Sequence, residues 1–261
     1  MPEKNILLEA KEIKKVYGQL IKTMALKDVN LQIQKNEFIA LIGPSGCGKT
    51  TLANILGALD QPTSGTIYYK GSALAKMKEN QLAEFRNQHI GFIFQFHFLL
   101  KEFTALENVL IPTWIKHQLA PAKKIKRAKE LLELVGLKDR MYNRGNNLSG
   151  GQQQRVAIAR SLINEPDLIL ADEPTGNLDS VNTDQVFGLL KKINQETGTT
   201  FLIISHERHI AAKSNRIVEM LDGEVIKDFP NRGEEDKQWL SLAPDYCKLC
   251  QQDQAKKVNL R

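Results

Sequence analysis

Hydrophobic and polar positions alternate in three short segments near the start of the chain. The alternation predicts strands over ILLEA, MALKDVNLQI and EFIALIG, all within residues 6–43. The next segment, TTLANILGAL, has the apolar spacing of a helix. After the turn QPTSG, TIYY predicts another short strand, and the apolar run IGFIFQ predicts a buried strand that ends at Gln95.

The hydrophobic spacing changes between about residue 96 and residue 165. Apolar residues recur there at helical intervals on one face, namely Ile125, Ala128, Leu131, Leu132 and Val135. Gly136 follows as a C-terminal stop signal, and a second helix is predicted from Ser149 onward. We interpret this region as a helical insertion.

Strand and helix patterns alternate again after residue 165. LILA predicts a short buried strand, Val181 to Asn194 a helix, and TTFLIIS a β-branched strand. RIVEMLDGEVIKDF predicts a hairpin whose turn is Asp222-Gly223. The order of elements indicates an α/β fold. Residues 231–261 are expected to form a polar, loosely attached tail.

Composition narrows the class of protein without choosing a ligand. Hydrophobic residues make up 42% and charged residues 25%, which is typical of a folded globular chain. The net charge of +6 would suit ATP, an anionic membrane surface or nucleic acid alike. No apolar run approaches the roughly 18 residues of a membrane span, and the first residues lack the apolar stretch of a signal peptide. With three cysteines and no disulfide framework, we expect a cytoplasmic protein.

A phosphate-binding loop is predicted between the third strand and the first helix. GPSGCGKT matches the pattern G-x-x-x-x-G-K-[ST], with Gly43, Gly48, Lys49 and Thr50 at the fixed positions. Glycines let backbone N–H groups surround phosphate oxygens at the positive end of a helix. Lys49 would reach the β- and γ-phosphates, and the Thr50 hydroxyl would bind Mg²⁺. Cys47 lies inside the loop, where we interpret it as a small residue that fits rather than a redox sensor.

Two acidic residues follow the predicted buried strand LILA. Ligands of parallel α/β sheets lie at the carboxyl ends of strands, so Asp172 and Glu173 should emerge at the ligand-binding edge. Because neighbouring strand residues point to opposite sides, we expect Asp172 to bind Mg²⁺, directly or through water, and Glu173 to polarise the attacking water. Pro174 predicts an extended backbone at Glu173. Together with the loop, this pair predicts a nucleotide triphosphatase.

The segment LSGGQ, which starts at Leu148, has the properties of a second anion site. Ser149 is a natural N-cap, and Gly150 and Gly151 allow backbone N–H groups to approach a ligand closely. The helix dipole adds about half a positive charge at this end. The segment contains no lysine to complete a site alone. An ordinary capped helix would explain Ser149 but not the two glycines followed by glutamine.

With these motifs in this order, the chain resembles the ATP-binding cassette (ABC) ATPases over roughly residues 5 to 230. The resemblance implies an α/β P-loop NTPase (RecA-like) core with an N-terminal antiparallel β subdomain and an inserted α-helical subdomain. The ABC ATPase domain would span residues 1–230, with its helical part at about 96–165, and the tail would follow. It also implies that LSGGQ of one subunit meets the γ-phosphate held by the loop of another. Two ATPs would thus lie in a head-to-tail dimer.

The resemblance also assigns roles to single residues. The loop residues that would contact ATP are Gly43, Pro44, Ser45, Gly46, Cys47, Gly48, Lys49, Thr50 and Thr51. The residues that would act in trans are Ser149, Gly151, Gln152 and Asp179. Gln95 matches a glutamine that senses Mg²⁺ and water and links to a membrane subunit, and His206 matches a histidine that contacts the γ-phosphate. The catalytic set would be Glu173, His206, Lys49 and Gln95, and Mg²⁺ would be held by Thr50, Gln95 and Asp172.

Two of these assignments have a structural alternative. Tyr17 in KVYG resembles the aromatic residue that stacks on adenine, but a tyrosine on an edge strand would have the same pattern. Asp179 in GNLD matches the loop that communicates between subunits, and it would equally serve as the N-cap of the next helix.

Two further stretches resemble a narrower group of ATPases. FQFHFLLKEFTALENVLIP and ADEPTGNLDS are similar to segments of lipoprotein-releasing complexes and of the related macrolide-exporter and cell-division types. FQFHFLL favours lipoprotein release, and we interpret His97 as packing or coupling surface rather than a metal ligand. In this group the ATPase drives transmembrane subunits, which implies a location at the cytoplasmic face of the inner (cell) membrane. Macrolide exporters usually fuse the two parts, so a separate chain fits lipoprotein release better.

A different class of function would be a soluble ABC ATPase that acts on nucleic acid or ribosomes. The basic cluster from Lys123 to Lys129 lacks interleaved aromatic residues and is typical of a solvated helix face. Such proteins typically carry two cassettes or long insertions, so no nucleic-acid partner is expected. CKLC, Cys247 to Cys250, supplies two of the four ligands of a structural zinc site unless two chains combine. We expect inert thiols or adventitious metal binding there.

Overall fold

The computed structural model of this chain describes residues 5–18, 20–115, 120–206 and 211–232. The predicted tail, apart from its first two residues, lies outside this part of the chain. In chain order the strands and α-helices of the described residues are β1 (Ile6–Tyr17), β2 (Thr23–Gln34), β3 (Phe38–Ile42), α1 (Lys49–Leu56), β4 (Ser64–Tyr69), β5 (Ser72–Ala73), α2 (Glu79–His89), β6 (Ile90–Phe94), α3 (Ala105–Trp114), α4 (Ala122–Leu134), α5 (Gly150–Leu162), β7 (Leu168–Asp172), α6 (Ser180–Thr197), β8 (Thr200–Ser205), β9 (Arg216–Leu221) and β10 (Glu224–Pro230).

The strands form two sheets. The smaller one has the order β2-β1-β4-β5, and all of its pairs are antiparallel. The larger one has the order β10-β9-β3-β8-β7-β6, in which every pair is parallel except β10 with β9. A mixed α/β core with an antiparallel β part and helical parts confirms the predicted fold class.

Both faces of the larger sheet are buried at strands β3, β7 and β8, and alternate residues of each strand divide between them. On β8, Leu202 and Ile204 pack with α1 and the smaller sheet. Phe201 and Ile203 face the other way and pack with helices α3 to α6. All six residues of β8 are buried. A parallel strand covered on both faces has no polar side, which explains the unbroken apolar runs of the sequence.

The elements predicted from the sequence are found, and their ends follow the expected signals. Helix α4 is followed by Gly136, whose φ of 74° ends it. The turn between β9 and β10 is Asp222-Gly223, with φ of 47° and 84°. Three helices, α3, α4 and α5, lie between β6 and β7. Within the described ranges, no helix is both long enough and apolar enough to cross a membrane.

The sequence pattern missed α2 and α3. Helix α2 buries only Leu82 and Phe85, so its apolar stripe is too narrow to be recognised by periodicity. Helix α3 did carry a readable signal. Thr104 accepts from the N–H of Glu107 at 3.2 Å, and a Glu107 carboxylate oxygen accepts from the N–H of Thr104 at 2.7 Å. This reciprocal cap is the Thr-x-x-Glu pattern that marks a helix start.

The parallel register brings distant segments to one edge of the larger sheet. Ile42 at the end of β3 lies opposite Ser205 at the end of β8. Asp172 at the end of β7 lies opposite Ile204. The phosphate loop, the two acids and His206 therefore all leave the sheet at its carboxyl edge, where α/β proteins bind ligands.

Candidate active site

The predicted phosphate loop connects β3 to α1 and packs closely against one strand of each sheet. Gly43 has a φ of 154°, and a Cβ there would lie 2.2 Å from the carbonyl oxygen of Met220 on β9. Gly48 has a φ of 103°, and a Cβ there would lie 2.6 Å from the carbonyl oxygen of Ala25 on β2. Only glycine fits these two positions, because a side chain would push the loop off the sheet.

Lys49, the first residue of α1, is 7% exposed. Its Nζ donates hydrogen bonds to the carbonyl oxygens of Gly43 at 2.9 Å and Pro44 at 2.8 Å. The ammonium group is thus held across the loop, close to the amide groups that would surround a phosphate. This position agrees with the role predicted for a phosphate-binding lysine.

Thr50 and Asp172, which are 122 residues apart in sequence, are in direct contact. The Thr50 hydroxyl donates to Oδ2 of Asp172 at 2.9 Å. Burial raises the pKa of Asp172 above its ordinary value, the Thr50 hydrogen bond opposes this, and the charge of Glu173 adds to the increase. A partly buried carboxylate destabilised in this way is suited to a nearby cation.

The two oxygen ligands fit Mg²⁺, which prefers hard oxygen donors and often binds through one or two protein groups plus phosphate oxygens. Within the described ranges, no group of three or more His, Cys, Asp or Glu side chains could hold a metal ion. Phosphate oxygens and water are the usual further ligands of a protein-bound Mg²⁺.

Glu173 contacts a different partner from Asp172. Its Oε1 lies 3.0 Å from Nδ1 of His206, which follows β8. The N–H of Glu173 donates to the carbonyl oxygen of Ile204 at 3.1 Å, and its own carbonyl oxygen accepts from the N–H of Gly176 at 3.1 Å. The two neighbouring acids therefore have different partners: Asp172 contacts Thr50, and Glu173 contacts His206.

The predicted extended backbone at Glu173 is wrong. Its φ is 46°, in the left-handed region, although Pro174 follows it. The chain must turn directly after β7 to make the bond from Gly176 to the Glu173 carbonyl, and this turn overrides the local preference. Such a conformation costs about 1–3 kcal/mol and is typical of functional sites.

Gln95, the residue after β6, lies beside Glu173. A Cβ on Gly176 would lie 3.0 Å from Nε2 of Gln95 and 3.3 Å from Oε2 of Glu173. The two polar groups therefore border the same small residue. The side chain of Asn177 also donates to the carbonyl oxygen of Gln95 at 2.9 Å. This hydrogen bond joins the segment after β6 to the turn after β7 at the edge of the sheet.

The loop, Glu173 and His206 line one cavity of about 720 Å³. Strand and hairpin residues also line it, and these are Ala25, Ile42, Glu219, Met220, Leu221 and Ile226. Most of them are apolar, and a cavity with both polar and apolar lining residues suits a ligand that has a charged end and an apolar end. The sequence did not single out the hairpin residues, because an apolar strand residue gives the same pattern whether it lines a cavity or the core.

Tyr17 is not among the residues that line this cavity. It is the last residue of β1, and its hydroxyl donates to Oδ2 of Asp60 at 2.8 Å. Nζ of Lys15 lies over the ring, 4.8 Å from its centroid. The ring remains 42% exposed. Tyr17 is thus at the end of a strand, but β1 lies between β2 and β4, so it is not the edge-strand tyrosine of the structural alternative.

The residues predicted to act in trans also lie outside the cavity lining. Ser149 caps α5: its hydroxyl accepts from the N–H of Gln152 at 3.4 Å, and Oε1 of Gln152 accepts from the N–H of Ser149 at 2.9 Å. Asp179 caps α6 by accepting from the N–H of Asn182 at 2.8 Å, which confirms the capping alternative. A Cβ on Gly151 would lie 3.4 Å from Oδ1 of Asn182, so the two helix starts are adjacent.

Comparison with known proteins identifies the family. The profile of the ABC transporter family matches residues 26–176. The chain belongs to the ABC transporter family. This ABC ATPase is 49% identical over 222 residues to an uncharacterized ABC transporter ATP-binding protein, MJ1508, of Methanocaldococcus jannaschii, covering 85% of this chain and 98% of that protein. It is 45% identical over 222 residues to the lipoprotein-releasing system ATP-binding protein LolD of Francisella tularensis, covering 85% and 96%.

Solved structures agree with this assignment. The ABC ATPase superimposes on the ATP-binding cassette MJ0796, which was solved as a dimer in a post-hydrolysis state bound to ADP and Pi. The TM-score is 0.79 at 42% identity, and the match covers 87% of this chain and all of that one. The chain is therefore an ABC transporter ATP-binding subunit with ATPase activity.

The position of Cys47 in this ABC ATPase predicts low thiol reactivity. The thiol is buried, and burial raises its pKa, although the charge of Lys49, whose Nζ lies 3.8 Å from Sγ, opposes the change. The thiolate is the reactive form, so the raised pKa leaves little of it at neutral pH.

Labelling with iodoacetamide tests this prediction in a Cys247→Ser/Cys250→Ser background. Cys47 of the native chain should react at least about tenfold more slowly than Cys47 of the urea-unfolded chain. Equal rates, measured by mass spectrometry, would contradict an inert packing role.

Proposed function

We propose that this ABC ATPase hydrolyses MgATP in the cavity bounded by the phosphate loop, Glu173 and His206. The observation that carries the proposal is the contact between Thr50 and Asp172, which joins the loop to the strand that ends in two acids. The loop amides and Lys49 would bind the β- and γ-phosphates. Thr50, Asp172 and Gln95 would hold Mg²⁺, which would offset phosphate charge when bound.

The proposed reaction is in-line attack of water on the γ-phosphoryl group. A bond forms between the water oxygen and the γ-phosphorus while the bond to the bridging oxygen breaks, and ADP leaves with that electron pair. Glu173 orients the water and polarises it toward loss of a proton. His206, held 3.0 Å from the Glu173 carboxylate, would contact the γ-phosphate and close the site. Gln95, beside the same carboxylate, would help to position the water.

Replacement of Glu173 by glutamine tests the assignment of the water-polarising residue. Glu173→Gln keeps the shape of the side chain but removes its basicity, so we expect turnover to fall about 10²–10⁴-fold while ATP binding remains. The variant should accumulate as an ATP-bound dimer, measured by size-exclusion chromatography with ATP. Glu165→Gln, an exposed position after α5, is the matched control and should be normal. A wild-type rate in Glu173→Gln would refute the assignment.

We also propose that ATP is enclosed between two copies of the chain. Ser149, Gly151, Gln152 and Asp179 would then contact the nucleotide that the partner subunit holds. Two observations support this arrangement: these residues lie outside the cavity of their own chain, and the structural relative MJ0796 was solved as a dimer. The adjacent starts of α5 and α6 would present N–H groups to the partner's γ-phosphate.

Within each cavity, Tyr17 would stack on adenine. The ring is held at the end of β1 by Asp60, with Lys15 against one face. Its exposed area leaves room for a base to pack against the ring. The Tyr17 side chain must reorient to reach the cavity, because it is not among the lining residues.

A large cation at position 149 tests the arrangement of two chains. Ser149→Arg introduces a long side chain on the surface that would meet the partner, so hydrolysis should fall to background while each monomer still binds ATP. Ser72→Arg, at an exposed position on β5, is the control and should hydrolyse ATP normally. Binding is measured by titration with a fluorescent ATP analogue under monomeric conditions. Loss of monomer binding in Ser149→Arg would show that Ser149 acts within its own chain.

We propose that the surface around Phe96 and Phe98 binds transmembrane subunits. These neighbours of Gln95 are 64% and 66% exposed, and their rings contact each other at 6.4 Å between centroids. Aromatic side chains with this exposure are typical of binding surfaces. The surface belongs to the proposed helical part, at about residues 96–165, of a domain that spans residues 1–230. The chain would therefore act as a peripheral subunit on the cytoplasmic face of the inner (cell) membrane.

Lipoprotein release is the function that we propose for the assembled complex. The support is the 45% identity to LolD over almost all of that protein, together with the stretch FQFHFLL. The alternatives are the macrolide-exporter and cell-division types, whose segments are similar. A soluble ATPase acting on nucleic acid has less support, since the basic residues of α4 lie on a charged helix face without aromatic residues between them.

Purification from native membranes separates these functions. We expect transmembrane subunits to co-purify, and the reconstituted complex to release an acylated protein from proteoliposomes in an ATP-dependent manner. Phe96→Ala/Phe98→Ala should reduce co-purification, whereas Tyr142→Ala, equally exposed elsewhere in the helical part, should not. ATP-dependent movement of a macrolide without lipoprotein release would favour the exporter type. Co-purification of RNA in place of membrane proteins would favour the soluble class.

A further inference from the structure

Two polar side chains behind the proposed catalytic edge have buried atoms without a hydrogen bond of normal geometry. Gln154 on α5 is fully buried, and its Nε2 donates to the carbonyl oxygen of Pro174 at 2.5 Å. Its Oε1 has no partner within the described part of the chain, and neither has Nδ1 of His97. Buried polar groups in folded proteins are almost always paired, so each of these atoms requires an explanation.

The two unpaired atoms belong to side chains that are neighbours. Burial lowers the pKa of His97, and the nearby side chain of Gln154 opposes this change. The two groups are chemically complementary, because Nδ1 of a neutral imidazole can carry the proton that Oε1 of an amide accepts. A small movement of either segment would satisfy both atoms at once, and leaving them apart is unfavourable.

The backbone on each side of this pair is held by other side chains. Arg160 on α5 donates to the carbonyl oxygens of His97 at 2.7 Å and Phe98 at 2.8 Å. Asn177, after β7, donates to the carbonyl oxygen of Gln95. The segment from Gln95 to Phe98 is therefore attached both to the helix that begins with LSGGQ and to the turn that carries Glu173.

His97 is well placed to transmit a displacement. Nδ1 of its ring is buried, while Phe96 and Phe98 on either side are mostly exposed. A partner bound to the two phenylalanines would contact the residues on both sides of the histidine. The Gln154 side chain donates a hydrogen bond to the carbonyl oxygen of Pro174, the residue directly after Glu173. A shift of Gln154 would therefore displace the backbone next to Glu173.

We propose that His97 and Gln154 act together as positioning residues for Glu173. In the active arrangement, the N–H at Nδ1 of His97 donates to Oε1 of Gln154, and Nε2 of Gln154 holds the Pro174 carbonyl oxygen. The pair fixes the turn in which Glu173 adopts its positive φ. This inference rests on the proposed function, since it assumes that Glu173 polarises the attacking water.

The kinetic test uses the wild-type chain, in complex with its membrane subunits, and single and double variants. His97→Leu and Gln154→Met should each lower kcat about tenfold, a change of one order of magnitude in rate, with little change in the KM for ATP. His97→Asn should restore most of the rate, because its amide nitrogen can replace Nδ1 as the donor. The double variant should be no slower than either single variant, because the two residues act as one unit.

Matched controls and a spectroscopic measurement make the outcome decisive. Asn164→Leu removes a side-chain amide that donates to the carbonyl oxygen of Asn87 at 3.1 Å near the other end of α5, and kcat should be unchanged. ¹⁵N NMR of wild-type His97 should show the tautomer protonated at Nδ1, and Gln154→Met should change that signal. A normal kcat in both single variants, or effects that multiply in the double variant, would overturn the proposal.

The NMR result also separates this inference from the proposed function. If Glu173→Gln hydrolyses ATP normally, the proposed function fails whatever the variants of the pair do. A His97 signal that is identical in wild type and Gln154→Met shows that the two side chains do not pair, and the inference then fails while the role of Glu173 stands.

Discussion

The hydrogen bond between Thr50 and Asp172 depends on the register of one parallel sheet. Thr50 follows β3 and Asp172 ends β7, and β8 lies between these two strands. All three strands are almost wholly buried, so a slip by one residue would turn each apolar set toward the wrong face. Hydrophobic burial therefore fixes the register, and the register fixes the distance between a hydroxyl and a carboxylate that would share a cation. Every other group of the site is placed relative to that contact.

At the carboxyl edge of the larger sheet, the adjacent carboxylates of Asp172 and Glu173 have different surroundings. Asp172 is still part of β7, and burial raises its pKa beside Thr50. Glu173 is the first residue of the turn, and its positive φ directs it toward His206. Gly176 leaves space for the side chains of both Gln95 and Glu173. Glu173 is thus held by its hydrogen bond to Ile204 of β8 on one side and by the close packing of Gly176 on the other. Surrounding contacts of this kind allow an unfavourable backbone conformation to persist at a functional site.

The helical part is joined to this edge by side chains that bond to backbone carbonyl groups. Gln154 and Arg160 project from α5 to Pro174 and to the segment after β6. Helix α5 also begins with the glycine-rich segment that we propose to face the partner subunit. One helix therefore contacts the proposed dimer surface, the proposed membrane-subunit surface and the turn of Glu173. Contacts of this kind do not depend on periodicity, so sequence patterns do not reveal them.

The sequence by itself determined the family, most of the strands and helices apart from α2 and α3, and the identities of the phosphate loop and the acidic pair. These features are local: spacing, apolar alternation and residue type are sufficient to define them. Only the tertiary structure decided which distant residues meet, because contacts such as Thr50 with Asp172, Glu173 with His206 and Gln154 with Pro174 follow from sheet register and helix packing. It also placed Tyr17 on Asp60 and gave Glu173 a positive φ against its local preference. The deciding energy comes from contacts between segments far apart in the chain, except at Glu173, where the turn closed by Gly176 also contributes.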